Sequence, residues 1–474
     1  MKRSVSFTSS GLALGSFPEK SKVPAPTINA YCIFRKGTCP TASQVAEQVV
    51  QPLLEYERMS QVFDETTCTF RPSQQEYTAL DLVREVEVVN ETTCPRALEE
   101  TIFTHINDEL KEGRNDLPWW EMLLVKSKTG RSAVVLRVHH VIADGLALVH
   151  AFAKILKTVD GKPLAQQLKL NNSSGSNSSS ADAASSKPQK SFWATLWSLI
   201  KATIHVLTLG QTRFDDDTAF SKQNHANMVY TGKRDFILFP DIPLDFVKAI
   251  KTAAKVSVND VLMTAVSQAI YDYCIQQNDR LVVEGAAKKT NIQCRALIPV
   301  GFPRTAAQLA EQPLRNQWCM ASCDLAVGCK TVVERLQQIH QHATEMKTEP
   351  RAYMQLLIQN NVAKWLPKTL ARQAVLDVFS RHSLVLTNVP GPPQPCLLAG
   401  KRVDGLQLFF DNILSQVSIL SYGGCVSGNI VYDPDALPNL ANGFGASYAR
   451  ALAHLAQHYK VTVPAALASL GKED

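Results

Sequence analysis

The chain has no run of about 18 uninterrupted apolar residues, so no segment is long enough to cross a bilayer as a helix. It has no Gly-x-Ser-x-Gly elbow, and a serine hydrolase loses its anchor. Cys319, Cys323 and Cys329 lie close together, but their spacing is not CxxC and no paired CxxC completes it, which argues against a metal site. No basic run is interleaved with aromatics, which argues against nucleic acid. Charged residues make up only 19% of the chain, and the net charge of +6 is spread along it. That mild excess suits an anionic membrane surface without demanding one. The 11 cysteines have no framework spacing, and Cys274, Cys294 and Cys425 fall inside apolar runs. They read as reduced thiols of a cytosolic compartment. The apolar stretch around Leu12 and Leu14 is too short for a signal-peptide core.

The chain does have ample apolar material, 45% over 474 residues, enough for two cores and a buried pocket. Residues 1–25 read as a disordered tail, with acidic residues absent until Glu19. The clearest seam is Asn171 to Ser186, a serine-rich stretch that cannot bury a core, so 166–190 is expected to be a linker. It divides a first unit, 26–165, from a second, 230–474. Between them Phe192 to Leu209 carries Trp193, Trp197, Ile200 and Ile204 on one helical face and Thr195, Lys201 and His205 on the other. Segment 191–212 is therefore expected to be an amphipathic helix, either lying on a membrane or packed on its own domain.

Both units mix strands and helices, which makes the fold class mixed α/β. A helix is expected from Thr41 to about Tyr56, a strand over Ser132 to Val138 and a helix over Leu146 to Lys157. In the second unit, strands are expected over Gln293 to Pro299, Ser383 to Asn388 and Leu406 to Phe410. A hairpin is expected around Gly423-Gly424, joining Gln416 to Tyr422 with Cys425 to Tyr432. Helices are expected over Val258 to Gln276, Lys330 to Met346 and Asn439 to His458.

The strongest chemical signal is His139-His140-Val141-Ile142-Ala143-Asp144-Gly145, where a strand gives way to a loop. Imidazole titrates near neutrality and can take the proton of an alcohol that attacks a carbonyl. Asp144 can fold back to hold the loop or pair with an arginine, Arg295 being the first candidate and Arg304 the second. Gly145 is expected to permit a backbone geometry that other residues resist. As a bare string the pattern is weak, and its position lifts it.

The motif resembles HHxxxDG of the wax ester synthase/diacylglycerol acyltransferase family, which is related to chloramphenicol acetyltransferase. Pro118-Trp119-Trp120-Glu121 looks like the family's Pro-x-Trp-Glu element, and Asn259-Asp260 like its Asn-Asp element opening a helix. Arg295 to Arg304 resembles its arginine-bracketed strand, Asn316 a family asparagine, and Thr387 to Pro392 (TNVPGP) its late signature. Arg315 stands where glycine is usual before that asparagine, and Gly301-Phe302-Pro303 departs from the usual run. The Asp-Phe-Gly-Trp-Gly element of related plant transferases is absent.

The resemblance implies two chloramphenicol-acetyltransferase-like domains forming a pseudo-dimer around a central tunnel. It implies acyl-CoA-dependent esterification of long-chain alcohols or diacylglycerol, with acyl-CoA as co-substrate and no other cofactor or metal. His140 is then the general base, His139 tunes or supports it, and Asp144 turns away from substrate. Asn259 and Asn388 either donate to the oxyanion or fix loops. The expected partner surface is a membrane or lipid droplet, touched peripherally from the cytoplasm (endoplasmic reticulum, plasma membrane or droplet). The rivals are a transferase of this fold with a different alcohol acceptor and a lipid-binding protein without turnover.

Overall fold

The computed structural model describes residues 25–110, 116–165, 197, 199–204, 212–221, 231–288, 292–302, 304–361 and 368–468. The expected tail (but for Ala25), the linker and most of the 191–212 segment, Trp193 included, lie outside the described residues.

The central strands of the first sheet are apolar runs that alternate poorly because both of their faces are covered. In chain order its strands are β1 (Thr27–Phe34), β2 (Val83–Glu87), β3 (Trp120–Lys126) and β4 (Ser132–His139). Every residue of β4 is buried. The second sheet uses β5 (Asp235–Leu238), β6 (Arg295–Gly301), β7 (Trp318–Asp324) and β8 (Leu384–Pro390). Strand β9 (Gly405–Phe409) follows, then the hairpin of β10 (Ser415–Tyr422) and β11 (Cys425–Tyr432). The second sheet runs β7-β6-β8-β10-β11-β5, with Ile242–Pro243 also pairing β11.

Strand β9 does not join that sheet. It crosses to the first one and pairs antiparallel with β1, Asn29 facing Phe409 and Ile33 facing Gly405, so the first sheet runs β9-β1-β4-β3-β2. A second exchange runs the other way. Lys157–Thr158 pairs with Cys396–Leu398 in a small separate sheet. The two halves are thus interlocked by backbone hydrogen bonds.

Helix α1 (Gly145–Ile155) leaves the end of β4, and α2 (Leu244–Ala254) precedes α3 (Val258–Gln276). Helix α3 packs against α4 (Val332–Thr348) and α5 (Phe444–His458), and its buried residues run all round it, as its central position requires. The hairpin turn has Gly423 at φ 57° and Gly424 at φ 88°, the paired positive angles of a tight two-residue turn.

The expected helix over Thr41 to Tyr56 is not one regular helix. Thr41 caps Ala42–Val45, a π-helical turn covers Ala46–Val50, and α geometry resumes over Gln51–Leu54. Pro52 has no N–H to give the turn before it, and a widened turn passes the donors along by one residue.

Candidate active site

Strand β4 ends by placing two histidines in different surroundings. His139 is fully buried, its N–H donating to the Trp119 carbonyl (2.9 Å) and its Nδ1 accepting from the Val141 N–H (3.2 Å). The Trp119 ring stands edge-on to it at 5.0 Å. His139 therefore carries the loop's geometry. His140 emerges half-buried, its N–H bound to the Pro26 carbonyl at 2.8 Å. Trp318 and Phe410 from the C-terminal half flank its imidazole at 5.6 and 6.2 Å. Nδ1 of His140 is shut off from solvent. Burial lowers the pKa of this imidazole, and the charge of Asp144, its own carbonyl and the Asn316 side chain oppose that shift. The net shift is downward, which favours the neutral imidazole.

The loop is fastened from outside at almost every polar group. Asn316 Nδ2 donates to the His140 carbonyl (2.8 Å) and the Val141 carbonyl (3.2 Å). Arg58 donates to the Ile142 carbonyl (3.2 Å) and the Leu314 carbonyl (3.1 Å), so one guanidinium staples the loop to the C-terminal half. Burial and the neighbouring Arg315 push the pKa of Arg58 down to about 10, still charged at neutral pH.

Asp144 corrects an expectation. It pairs with neither Arg295 nor Arg304. Its Oδ1 accepts from the Ala147 N–H (2.8 Å), capping α1, and its Oδ2 accepts from the Gln317 N–H (2.7 Å). Two backbone donors, one from each half, satisfy the carboxylate without a guanidinium. Arg295 instead binds Asp215 at 2.6 Å, and Arg304 donates to the Gln312 (3.0 Å) and Arg315 (3.4 Å) carbonyls. Gly145 corrects another. It is the first residue of α1, its φ is not among the positive ones, and a Cβ built there would meet nothing within 4 Å. What the glycine provides is open space beside the loop.

The two asparagines meet each other. Asn388 Nδ2 donates to Asn259 Oδ1 at 2.6 Å, joining β8 to the start of α3, and neither hydrogen-bonds to His140. Asp260 beside them is fully buried, closing a capping box with Ser257 and accepting His340 at 2.7 Å. Arg58, Trp318, Phe410 and the backbone of Gln317 are the site residues that sequence reasoning missed. No local pattern marks them, because each reaches the loop from a distant part of the chain. Among the described residues no group of three or more metal-ligating side chains exists, and burial pushes the Cys319 and Cys323 thiols up to about 12.

Residues 40–262 match the wax ester synthase/diacylglycerol acyltransferase catalytic domain, and 314–450 match the WS/DGAT C-terminal domain. Between them the matches span about three quarters of the chain. A putative diacylglycerol O-acyltransferase of Mycobacterium tuberculosis is 23% identical over 356 residues, covering 69% of this chain and 66% of that relative, just under two thirds of its length. A second protein of that organism, a probable diacylglycerol O-acyltransferase, is 24% identical over 77% of this chain and 78% of its own. Wax ester synthase/diacylglycerol acyltransferase 5 of Arabidopsis thaliana is 24% identical over 60% of this chain and 61% of its own. In three dimensions the chain is similar to the wax ester synthase/diacylglycerol acyltransferase of Marinobacter aquaeolei VT8, with a TM-score of 0.61 at 17% identity over 96% of this chain and 100% of that one. It is also similar to the starter condensation domain of rhizomide synthetase, with a TM-score of 0.55 at 11% identity over 97% of this chain and 94% of that one. The matched domains, in order along an interlocked two-half mixed α/β fold, place this chain in the wax ester synthase/diacylglycerol acyltransferase family of O-acyltransferases.

Proposed function

We propose that the chain transfers a fatty acyl group from acyl-CoA to a long-chain alcohol or to diacylglycerol, forming wax ester or triacylglycerol, with His140 as general base. The observation that carries the reading is His140 itself, held by both halves with its Nδ1 buried and its pKa lowered. Nε2 then takes the acceptor's hydroxyl proton while the oxygen attacks the thioester carbonyl. The tetrahedral intermediate collapses, the C–S bond breaks, and the thiolate of coenzyme A recovers the proton from the imidazolium. His139 and Asp144 act by holding the loop, and Gly145 by leaving room beside it. Asn259 and Asn388 fix the approach of β8 to α3.

Long-chain acceptors reside in membranes, so loading them requires contact with a bilayer or droplet. Trp197, Ile200 and Ile204 lie on one face of a helical stretch and are 58%, 40% and 55% exposed, while Ala202 is buried. Lys201 Nζ stands 5.6 Å from the Trp197 ring centroid, a cation next to an apolar face. This supports peripheral attachment through that face. Among the described residues no helix is long and apolar enough to cross a membrane.

Purified protein incubated with labelled palmitoyl-CoA and either hexadecanol or diacylglycerol tests the reading. Labelled ester is expected with one or both acceptors. Ester with neither, and with no other alcohol, would leave a lipid-binding protein.

A further inference from the structure

Three arginines meet beside the catalytic loop, on the turn from Gln312 to Arg315 that leads towards β7. Arg58 Nη1, from the first half, donates to the Leu314 carbonyl (3.1 Å). Arg304 Nη1 donates to the Gln312 (3.0 Å) and Arg315 (3.4 Å) carbonyls. Both guanidiniums therefore hold the stretch of backbone that carries Arg315. Arg315 itself is half-buried, and its side chain makes no hydrogen bond or ion pair among the described residues. It directly precedes Asn316, whose carboxamide holds the His140 and Val141 carbonyls. A free cation is thus anchored one residue from the support of the base.

The charge here is not balanced. Asp144 acts on both Arg58 and Arg304, and Glu57 acts on Arg58, while Arg315 works against both guanidiniums. Asp144 already spends its two oxygens on backbone N–H groups. Arg304 keeps an Nη2 that meets no acceptor in the protein. Like charges gathered with donors to spare are costly unless an anion joins them. A guanidinium fork suits a phosphate, because two parallel N–H groups match two of its oxygens. The ground beside the cluster is open. Gly301, three residues before Arg304, is exposed, and a Cβ there would stand 3.5 Å from Leu146 Cδ2. Leu146 is 37% exposed, and beside it Gly145 has nothing within 4 Å of where its Cβ would be.

We propose that Arg315, backed by Arg304 and Arg58, is a binding site for a phosphate group of coenzyme A. The assignment rests on acyl-CoA being the donor and adds where its charged end is held. Among the reactants only the donor is anionic, since the alcohol, the diacylglycerol and the ester are all uncharged. An anion site next to the support of His140 therefore serves the donor. The flexible pantetheine arm links a phosphate held here to a thioester at the base. Arg315 stands where glycine is usual in the family, so the contact is particular to this chain. A phospholipid headgroup carries the same phosphate chemistry, and the test separates the two sources.

The test is isothermal titration calorimetry of the full-length wild type, Arg315→Gln and Arg315→Lys, each shown to be folded by circular dichroism. The probes are octanoyl-CoA and octanoyl-pantetheine, which is the same thioester without phosphates, and no acceptor is present. Arg315→Gln is expected to weaken octanoyl-CoA binding about 10-fold, the loss of one charge-assisted contact at a half-exposed site. Arg315→Lys keeps the charge without the fork and should fall between the other two. Octanoyl-pantetheine should bind all three proteins alike. In turnover, KM for palmitoyl-CoA should rise in step, and KM for hexadecanol should not. Equal octanoyl-CoA affinity in wild type and Arg315→Gln overturns the proposal. So does an equal loss for both probes, because Arg315 would then act by shaping the turn that carries Asn316. A loss confined to vesicles containing phosphatidate, with octanoyl-CoA affinity unchanged, also overturns it and assigns the cluster to a lipid phosphate. Octanoyl-CoA held through Arg315 by a protein that forms no ester with any alcohol would support the site and remove the proposed activity instead.

Discussion

His139 and His140 are adjacent in sequence and opposite in situation, and only the second was legible as chemistry. The string from His139 to Gly145 marked the loop, but it could not reveal that Asp144 spends both oxygens on N–H groups from different halves. Gly391, inside the TNVPGP match, has a reason that only the packing shows. A Cβ there would stand 2.4 Å from the Ser421 carbonyl oxygen. His382 was not singled out at all, yet it is fully buried between β7 and the end of the helix Lys368–Phe379. One ring nitrogen bonds the Val378 carbonyl (2.6 Å) and the other the Ser322 hydroxyl (2.9 Å). Burial and the nearby Arg295 push its pKa down to about 3. A histidine depressed in the folded state stabilises the protein above its unfolded pKa near 6.5, and that contribution is lost as pH falls towards the folded value. Denaturant titrations between pH 7.5 and 5 should therefore show wild type losing stability by up to about 1.4 kcal/mol per pH unit from this group. His382→Asn, weaker at neutral pH, should show a flatter slope. Equal slopes in the two proteins would assign the pH dependence elsewhere.

At the scale of elements, the sequence was most legible where periodicity is strong. Helix α3 spans Val258 to Gln276 as expected, and the Gly423-Gly424 hairpin forms as its residues dictate. Strand β7 and the helices Arg351–Asn361 and Lys368–Phe379 were not expected. Their apolar residues are frequent but do not by themselves decide helix against strand, and their packing comes from neighbours. The stretch containing Trp197 and 199–204 is helical, with its apolar face outward. If that face meets lipid, Trp197→Ser combined with Ile200→Ser and Ile204→Ser should weaken flotation with anionic liposomes by several-fold and leave turnover of a short soluble alcohol near wild type. Undiminished flotation would place the lipid contact on another surface.

For the whole molecule, the two halves and their mixed α/β class were legible, but their interlocking was not. Nothing local in Gly405 to Phe409 says that it will leave its own sheet. Its partner is set by the exposed edge of β1, and an unpaired edge needs covering. Phe409 completes an aromatic cluster with Tyr31, Phe103 and Phe236 that belongs to both halves. Residues 26–165 expressed alone should consequently be unfolded or aggregated, and should become soluble when co-expressed with 230–474. A cooperative thermal transition in the isolated piece would contradict this. The same interlocking is what brings Asn316, Trp318 and Phe410 to His140. The most direct test of the account is the rate of ester formation from acyl-CoA by wild type and by His140→Ala, with circular dichroism confirming that both are folded. Ester is expected from the wild type, with a loss of about 10²- to 10⁴-fold in the variant. Wild-type turnover from a folded His140→Ala protein would contradict it.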